Sequence, residues 1–124
     1  LVNKKLLASK IRFNECFGLG SGIFNRGEEQ VFLSDVRALK LIVSFVKETI
    51  VQHTWQSSGR EYNSKNRYFT KGAVYAKVFP NMHMKWILMQ LFFDIKQGRI
   101  RLVEFFSELR TAIKGVQKLK QLEL

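Results

Sequence analysis

A chain of 124 residues, 46% of them hydrophobic and only one a proline, is long enough to bury roughly two-thirds of its unfolded surface, which excludes the disordered, collagenous and proline-rich classes. Twenty-one Lys and Arg against ten Asp and Glu leave +11, a charge that repels itself on folding and implies a polyanionic partner, nucleic acid first among them. Cys16 is the only cysteine, so no intramolecular disulfide can form and the chain reads as intracellular and cytoplasmic.

The first residues are expected to be helical over 2–17, with Val2, Leu6, Leu7, Phe13 and Phe17 apolar among Lys4, Lys5, Lys10 and Arg12. They lack a signal peptide's small-residue cleavage site, and no apolar run approaches the 18 or so residues of a bilayer span, so no membrane role is expected. A chain that begins at Leu1 reads as a cut or processed product, or as the C-terminal piece of a larger reading frame started internally. Gly18, Gly20 and Gly22 then read as a helix stop or flexible linker. A phosphate loop is rejected there, because the run follows a helix and has no Gly-Lys-Ser/Thr ending.

The clearest apolar stripe follows. Val36, Leu39, Val43, Val46 and Ile50 recur at steps of three and four, which predicts a core helix with Ser34 as N-cap and Asp35 in its first turn. Residues 56–70 are polar and rich in turn formers, so a long connection is expected. Residues 71–79 fit a short strand or a turn or two of helix, and the helix is favoured; a ribonucleoprotein-type strand is rejected because the rest of that sheet is missing. Pro80 suits a helix start, and Met84, Leu88, Leu91 and Ile95 make a stripe that stops at Gly98. Leu102, Phe105, Leu109, Ala112, Ile113, Val116 and Leu119 give a last helix, in which Gly115 costs about 1 kcal/mol relative to alanine. The expected architecture is a single all-α domain over residues 1–124, a bundle of four to five helices.

Charge divides unevenly along these elements: +4 over residues 1–26, −1 over 27–55, +5 over 56–86, −1 over 87–95 and +4 over 96–124. Catalysis needs positioned acids, bases, nucleophiles or metals, and His53, His83 and Cys16 sit at no ligand or catalytic spacing. The chain therefore reads as non-enzymatic, with no metal and no cofactor. Trp55 and Trp86 border apolar helices and are expected in the core or at its rim, and Cys16 is expected to be a small core residue.

The basic residues carry the functional reading. Arg37, Lys40 and Lys47 fall on one side of the predicted second helix, and Arg110, Lys114 and Lys118 recur at four-residue steps on the last, with like charges adjacent where a solvated face would mix signs. In the connection, Arg60, Lys65, Arg67, Lys71 and Lys77 alternate with Tyr62, Tyr68, Phe69 and Tyr75, a pattern in which cations hold phosphates and rings stack on bases. Tyr62 and Tyr68 are the expected stacking partners. The expected ligand is single-stranded nucleic acid or an RNA–DNA hybrid, held by its phosphates without sequence preference.

The last third also resembles a known family. Asp94-Ile95-Lys96-Gln97-Gly98-Arg99, then Glu104-Phe105-Phe106-Ser107-Glu108-Leu109 and Ala112-Ile113-Lys114-Gly115-Val116, is similar to the Gly-Arg, Glu-Phe, Leu, Ala-Ile, Val pattern of the helical small subunits of CRISPR type I effector (Cascade) complexes, type I-D among them. That resemblance implies a short, basic, non-catalytic subunit of an antiviral ribonucleoprotein, produced as the C-terminal part of the large subunit. Such a subunit would assemble with other subunits and copies of itself and hold crRNA and target or displaced DNA; Arg99, Arg110 and Lys114 are the implicated cations within the matching stretch. The same residues resemble the helix-turn-helix ending of TAF-homology transcription modules, which implies instead an adaptor that takes acidic amphipathic peptides, with Phe92, Phe105 and Phe106 as anchors.

Overall fold

The structure, a computed structural model, describes residues 11–18, 20–44, 47 and 66–123. These form an all-helical bundle of four α-helices: α1 (Glu28–Ala38), α2 (Arg67–Val78), α3 (His83–Lys96) and α4 (Phe105–Glu123), the last entered through a 3-10 turn at Leu102–Glu104. Among the described residues the extended backbone pairs once, in an isolated bridge between Phe17 and Phe24.

Residues 11–17 are not helical, contrary to the expected first helix; residues 2–10 of that prediction lie outside the described residues. Asn14 is the local cause. Its side-chain oxygen accepts the Cys16 N–H at 3.0 Å and its carbonyl the Phe17 N–H at 3.0 Å, so the backbone turns instead of continuing a helical ladder. The glycine run is likewise not a loose linker. Gly18 N–H donates to the Phe24 carbonyl at 2.8 Å and Phe24 N–H to the Cys16 carbonyl at 3.1 Å. Ser21 Oγ accepts from the Ile23 and Phe24 amides and donates to the Phe24 carbonyl. Gly18, Gly20 and Gly22 supply the positive φ angles (108°, 90° and 70°) that close this loop. The closure brings Phe17 and Phe24 together, rings stacked at 4.8 Å and both buried, with Cys16 packed against them.

α1 starts six residues before the predicted cap: Ser34 lies inside the helix, and Gly27, at φ 96°, stands at its N-terminus ahead of Glu28 and Glu29 in the first turn. It also ends early. Leu41 N–H reaches back to the Val36 carbonyl (3.4 Å) and Lys40 N–H to that of Arg37 (2.8 Å), a Schellman ending with Lys40 in the left-handed region at φ 55°. Val31 and Val36 are buried, whereas Leu39 and Val43, on the predicted core stripe, are 49% and 55% exposed.

The predicted connection runs too far at its C-terminal end, since α2 already begins at Arg67, and the favoured helical reading of 71–79 matches α2. Pro80 stands in the turn before α3. At Gly98 (φ 67°) α3 stops as expected: Gly98 N–H bonds the Ile95 carbonyl at 2.9 Å and Arg99 N–H the Asp94 carbonyl at 2.8 Å, a second Schellman ending.

The bundle is organised around the pairing of α2 with α4. A Cβ at Gly72 would fall on the Ala112 carbonyl oxygen, and one at Gly115 on the Phe69 carbonyl oxygen, so the two backbones touch at both crossings. Two apolar clusters flank this pair. One joins Phe17, Phe24, Val31, Ala73, Val74 and Leu119; the other joins Tyr68, Ile87, Leu91, Ala112 and Val116. Trp86 stacks on Phe79 at 4.7 Å, at the rim of the packing.

Candidate polyanion interface

Three of the predicted cations, drawn from two separate parts of the sequence, converge on one carboxylate. Asp94 is fully buried on α3. Arg67, at the start of α2, donates one guanidinium nitrogen to both of its oxygens, at 3.2 and 3.0 Å. Arg99, turned back by the Gly98 ending, donates to Oδ1 at 3.2 Å. Tyr68 Oη–H and Gln90 Nε2 complete Oδ2 at 2.7 and 2.9 Å, and Lys71 Nζ stands further off at 3.8 Å. Together these donors fill the lone pairs of the carboxylate.

The electrostatics follow from that crowding. Burial is the largest influence on Asp94 and would raise its pKa. The hydrogen bonds from Tyr68 and Gln90 and the charges of Lys71 and Arg67 outweigh it, holding the carboxyl below its ordinary value. For Lys71 burial and the neighbouring Arg67 charge lower the pKa, to about 8, with Asp94 opposing and Arg99 assisting. Burial and the bond to Asp94 push the Tyr68 phenol up.

Tyr68 is thereby corrected as a stacking partner. Its ring is buried, its hydroxyl is spent on Asp94, and Arg67 and Lys71 lie 5.5 and 5.8 Å from its centroid. Arg67, Lys71 and Arg99 meet Asp94 first, so their charge serves the fold before it can serve a ligand. Two more pairs use up carboxylates: Lys77 with Glu123 at 2.6 Å, and Arg101 with Glu104 at 3.0 Å.

Arg110, Lys114 and Lys118 stand apart from all of this. They are exposed on α4 at successive four-residue steps, about 6 Å of rise each, with Gln117 and Gln121 exposed beside them. The acids of α4 lie elsewhere. Glu123 is held by Lys77, and Glu108 is half-buried, its pKa raised by burial and by Glu104. The outward side of α4 therefore carries positive charge alone.

Arg37, Lys40 and Lys47 are all exposed, but they do not share a helix face: α1 ends at Ala38, Lys40 is left-handed and Lys47 is not helical. Arg60, Lys65 and Tyr62 lie outside the described residues, as do His53 and Trp55. Sequence reasoning missed Asp94 and Gln90. The available signal was that Gln90 and Asp94, four residues apart, are the only polar side chains in the stretch from 87 to 95.

The predicted peptide anchors divide. Phe105 packs against the second core cluster and is corrected as an anchor; Phe92 is 61% exposed and Phe106 78%. Among the described residues no helix is long and apolar enough to cross a membrane. No family model, no curated protein and no solved structure matches the chain.

Proposed function

We propose that this chain is a non-catalytic helical domain that binds single-stranded nucleic acid, or an RNA–DNA hybrid, by its phosphates and without reading bases. One observation carries the proposal: α4 turns Arg110, Lys114 and Lys118 outward in a row that no carboxylate of the helix interrupts, while Asp94, Glu104 and Glu123 each hold cations elsewhere. The row is about 12 Å long, the axial length of three to four nucleotides at about 3.4 Å each. Each cation beside a phosphate releases condensed counterions, so affinity arises without base contacts. Gln117 and Gln121 add uncharged donors for sugar and phosphate oxygens. On this reading the chain is a cytoplasmic subunit of a larger ribonucleoprotein, and the resemblance of residues 94–116 names a CRISPR effector, with crRNA and target or displaced DNA as the polyanions.

The test compares two variants of equal net charge, Lys114→Glu/Lys118→Glu on α4 and Lys85→Glu/Lys96→Glu on α3, by fluorescence anisotropy with labelled oligothymidylate and oligouridylate. Two lost phosphate contacts are worth about tenfold in affinity at physiological salt. The α4 variant should lose that or more on both oligonucleotides, the α3 variant much less. Equal losses from the two variants would show that net charge, not the α4 row, governs binding.

A further inference from the structure

α3 is apolar on nearly every side. Its inner face gives Ile87 and Leu91 to the core, yet its outer face presents Leu88, Met89, Phe92 and Phe93, from 41% to 61% exposed. A helix that is hydrophobic all round is ordinarily buried, and scattered exposed residues do not explain four apolar side chains gathered on two adjacent turns. Phe92 and Phe93 meet edge to face, 5.9 Å between centroids, so the pair stands as a preformed aromatic ridge.

The charges around this ridge say what could cover it. The one carboxylate of α3, Asp94, is buried. The exposed charges of the helix are Lys85 and Lys96. They are eleven residues apart, three turns, which places them in one row about 16 Å long with Leu88, Met89 and Phe92 between its ends. The outer face is thus an apolar strip with a cation at each end.

We infer that the outer face of α3 docks an amphipathic helix of a partner protein, one whose apolar stripe is flanked at both ends by carboxylates that meet Lys85 and Lys96. A second copy of this chain fits poorly. An antiparallel α3–α3 pairing sets each Lys85 against the other copy's Lys96, a parallel one sets like against like, and both bring together chains of +11. A partner helix is favoured over an extended strand because α3 offers side-chain ridges and no open backbone ladder. Methionines and phenylalanines suit such a surface, since Met repacks against varied side chains and Phe brings large area at little entropic cost. This inference stands independently of phosphate binding, which the outward side of α4 carries.

The test is a display library of randomised helical peptides selected on the full chain and counter-selected on Leu88→Ser/Phe92→Ser, two exposed positions whose replacement should leave far-UV circular dichroism unchanged. Peptides that a +11 chain attracts by charge alone bind both proteins and drop out. Those specific to the intact face should carry an apolar stripe at i, i+3/i+4 and i+7 with Asp or Glu at either end. They should bind Lys85→Glu/Lys96→Glu at least tenfold more weakly, and Lys-ended versions should bind that variant better than the original chain. Neutral or basic winners, no winners lost on Leu88→Ser/Phe92→Ser, or indifference to the charge swap would overturn the inference. So would sedimentation showing self-association, or flotation with anionic phosphatidylglycerol vesicles, that the Leu88/Phe92 variant abolishes, since the face would then belong to a second copy or a lipid surface.

Discussion

Replacing Gly115 with alanine should destabilise the fold, although alanine is the better helix former by about 1 kcal/mol. The added methyl would land on the carbonyl oxygen of Phe69, in the backbone of α2, where no flexible side chain can move aside. α2 and α4 must part to admit it, disturbing Ala73, Ala112 and Val116 on both flanks of the crossing. Overpacking of this kind costs about 1–3 kcal/mol, and contact with rigid backbone belongs at the upper end. After the gain in helix propensity a net loss of about 2 kcal/mol remains. With a urea m-value of about 2 kcal/mol/M, the midpoint of a denaturation curve followed by circular dichroism should fall by about 1 M. Gly72→Ala, which meets the Ala112 carbonyl, should behave alike, and the double variant should lose less than the sum because the first methyl has already separated the helices. A raised midpoint for Gly115→Ala, with m unchanged, would refute the close approach and leave helix propensity as the governing effect.

Asp94→Asn should cost about 3 kcal/mol in thermal or urea unfolding, because it leaves the largely buried Arg67 facing a neutral group, while the exposed Arg99 keeps its solvation. Asp94's carboxyl is held low in the fold, so its contribution is present above the unfolded carboxylate pKa of about 4 and fades as pH falls through the lower folded value; an acid limb unchanged in Asp94→Asn would contradict this. Lys71 acts in the opposite range. Its folded pKa of about 8 lies below the ordinary lysine value, so between the two the unfolded chain binds more protons and stability should rise with pH, a rise that Lys71→Met should abolish. Lys40→Gly should stabilise by about 1 kcal/mol, by relieving a left-handed residue with a Cβ, and an unchanged unfolding midpoint would show that φ 55° carries no strain.

Elements governed by local periodicity were legible in the sequence. Met84, Leu88, Leu91 and Ile95 marked α3, Gly98 marked its end, and the spacing from Phe105 to Leu119 marked α4. Where a side chain competed with the ladder, periodicity misled: Asn14 turns the backbone in what looked like a helix, and the Phe17–Phe24 loop trades helical bonds for two aromatic anchors in the core. The early end of α1 had no signature, because Lys40 fills a left-handed position usually taken by Gly or Asn. Arg110, Lys114 and Lys118 could be placed together because they lie on one helix. The gathering of Arg67, Tyr68 and Asp94 could not, since it depends on how α2 packs on α3 across 26 or 27 residues of chain. Nor could periodicity show that the α3 residues Leu88 and Phe92, apolar like those of the core, would face outward.

The most direct measurement of the central claim is the slope of log K against log salt concentration for a single-stranded oligonucleotide, taken on the wild-type chain and on Arg110→Ala/Lys114→Ala/Lys118→Ala. Three phosphate contacts at about 0.7 each predict a slope shallower by about 2 in the variant, by the same amount for oligothymidylate and oligouridylate. An unchanged slope, or a loss that differs between the two oligonucleotides while the slope holds, would mean that the outward row of α4 does not carry the phosphates.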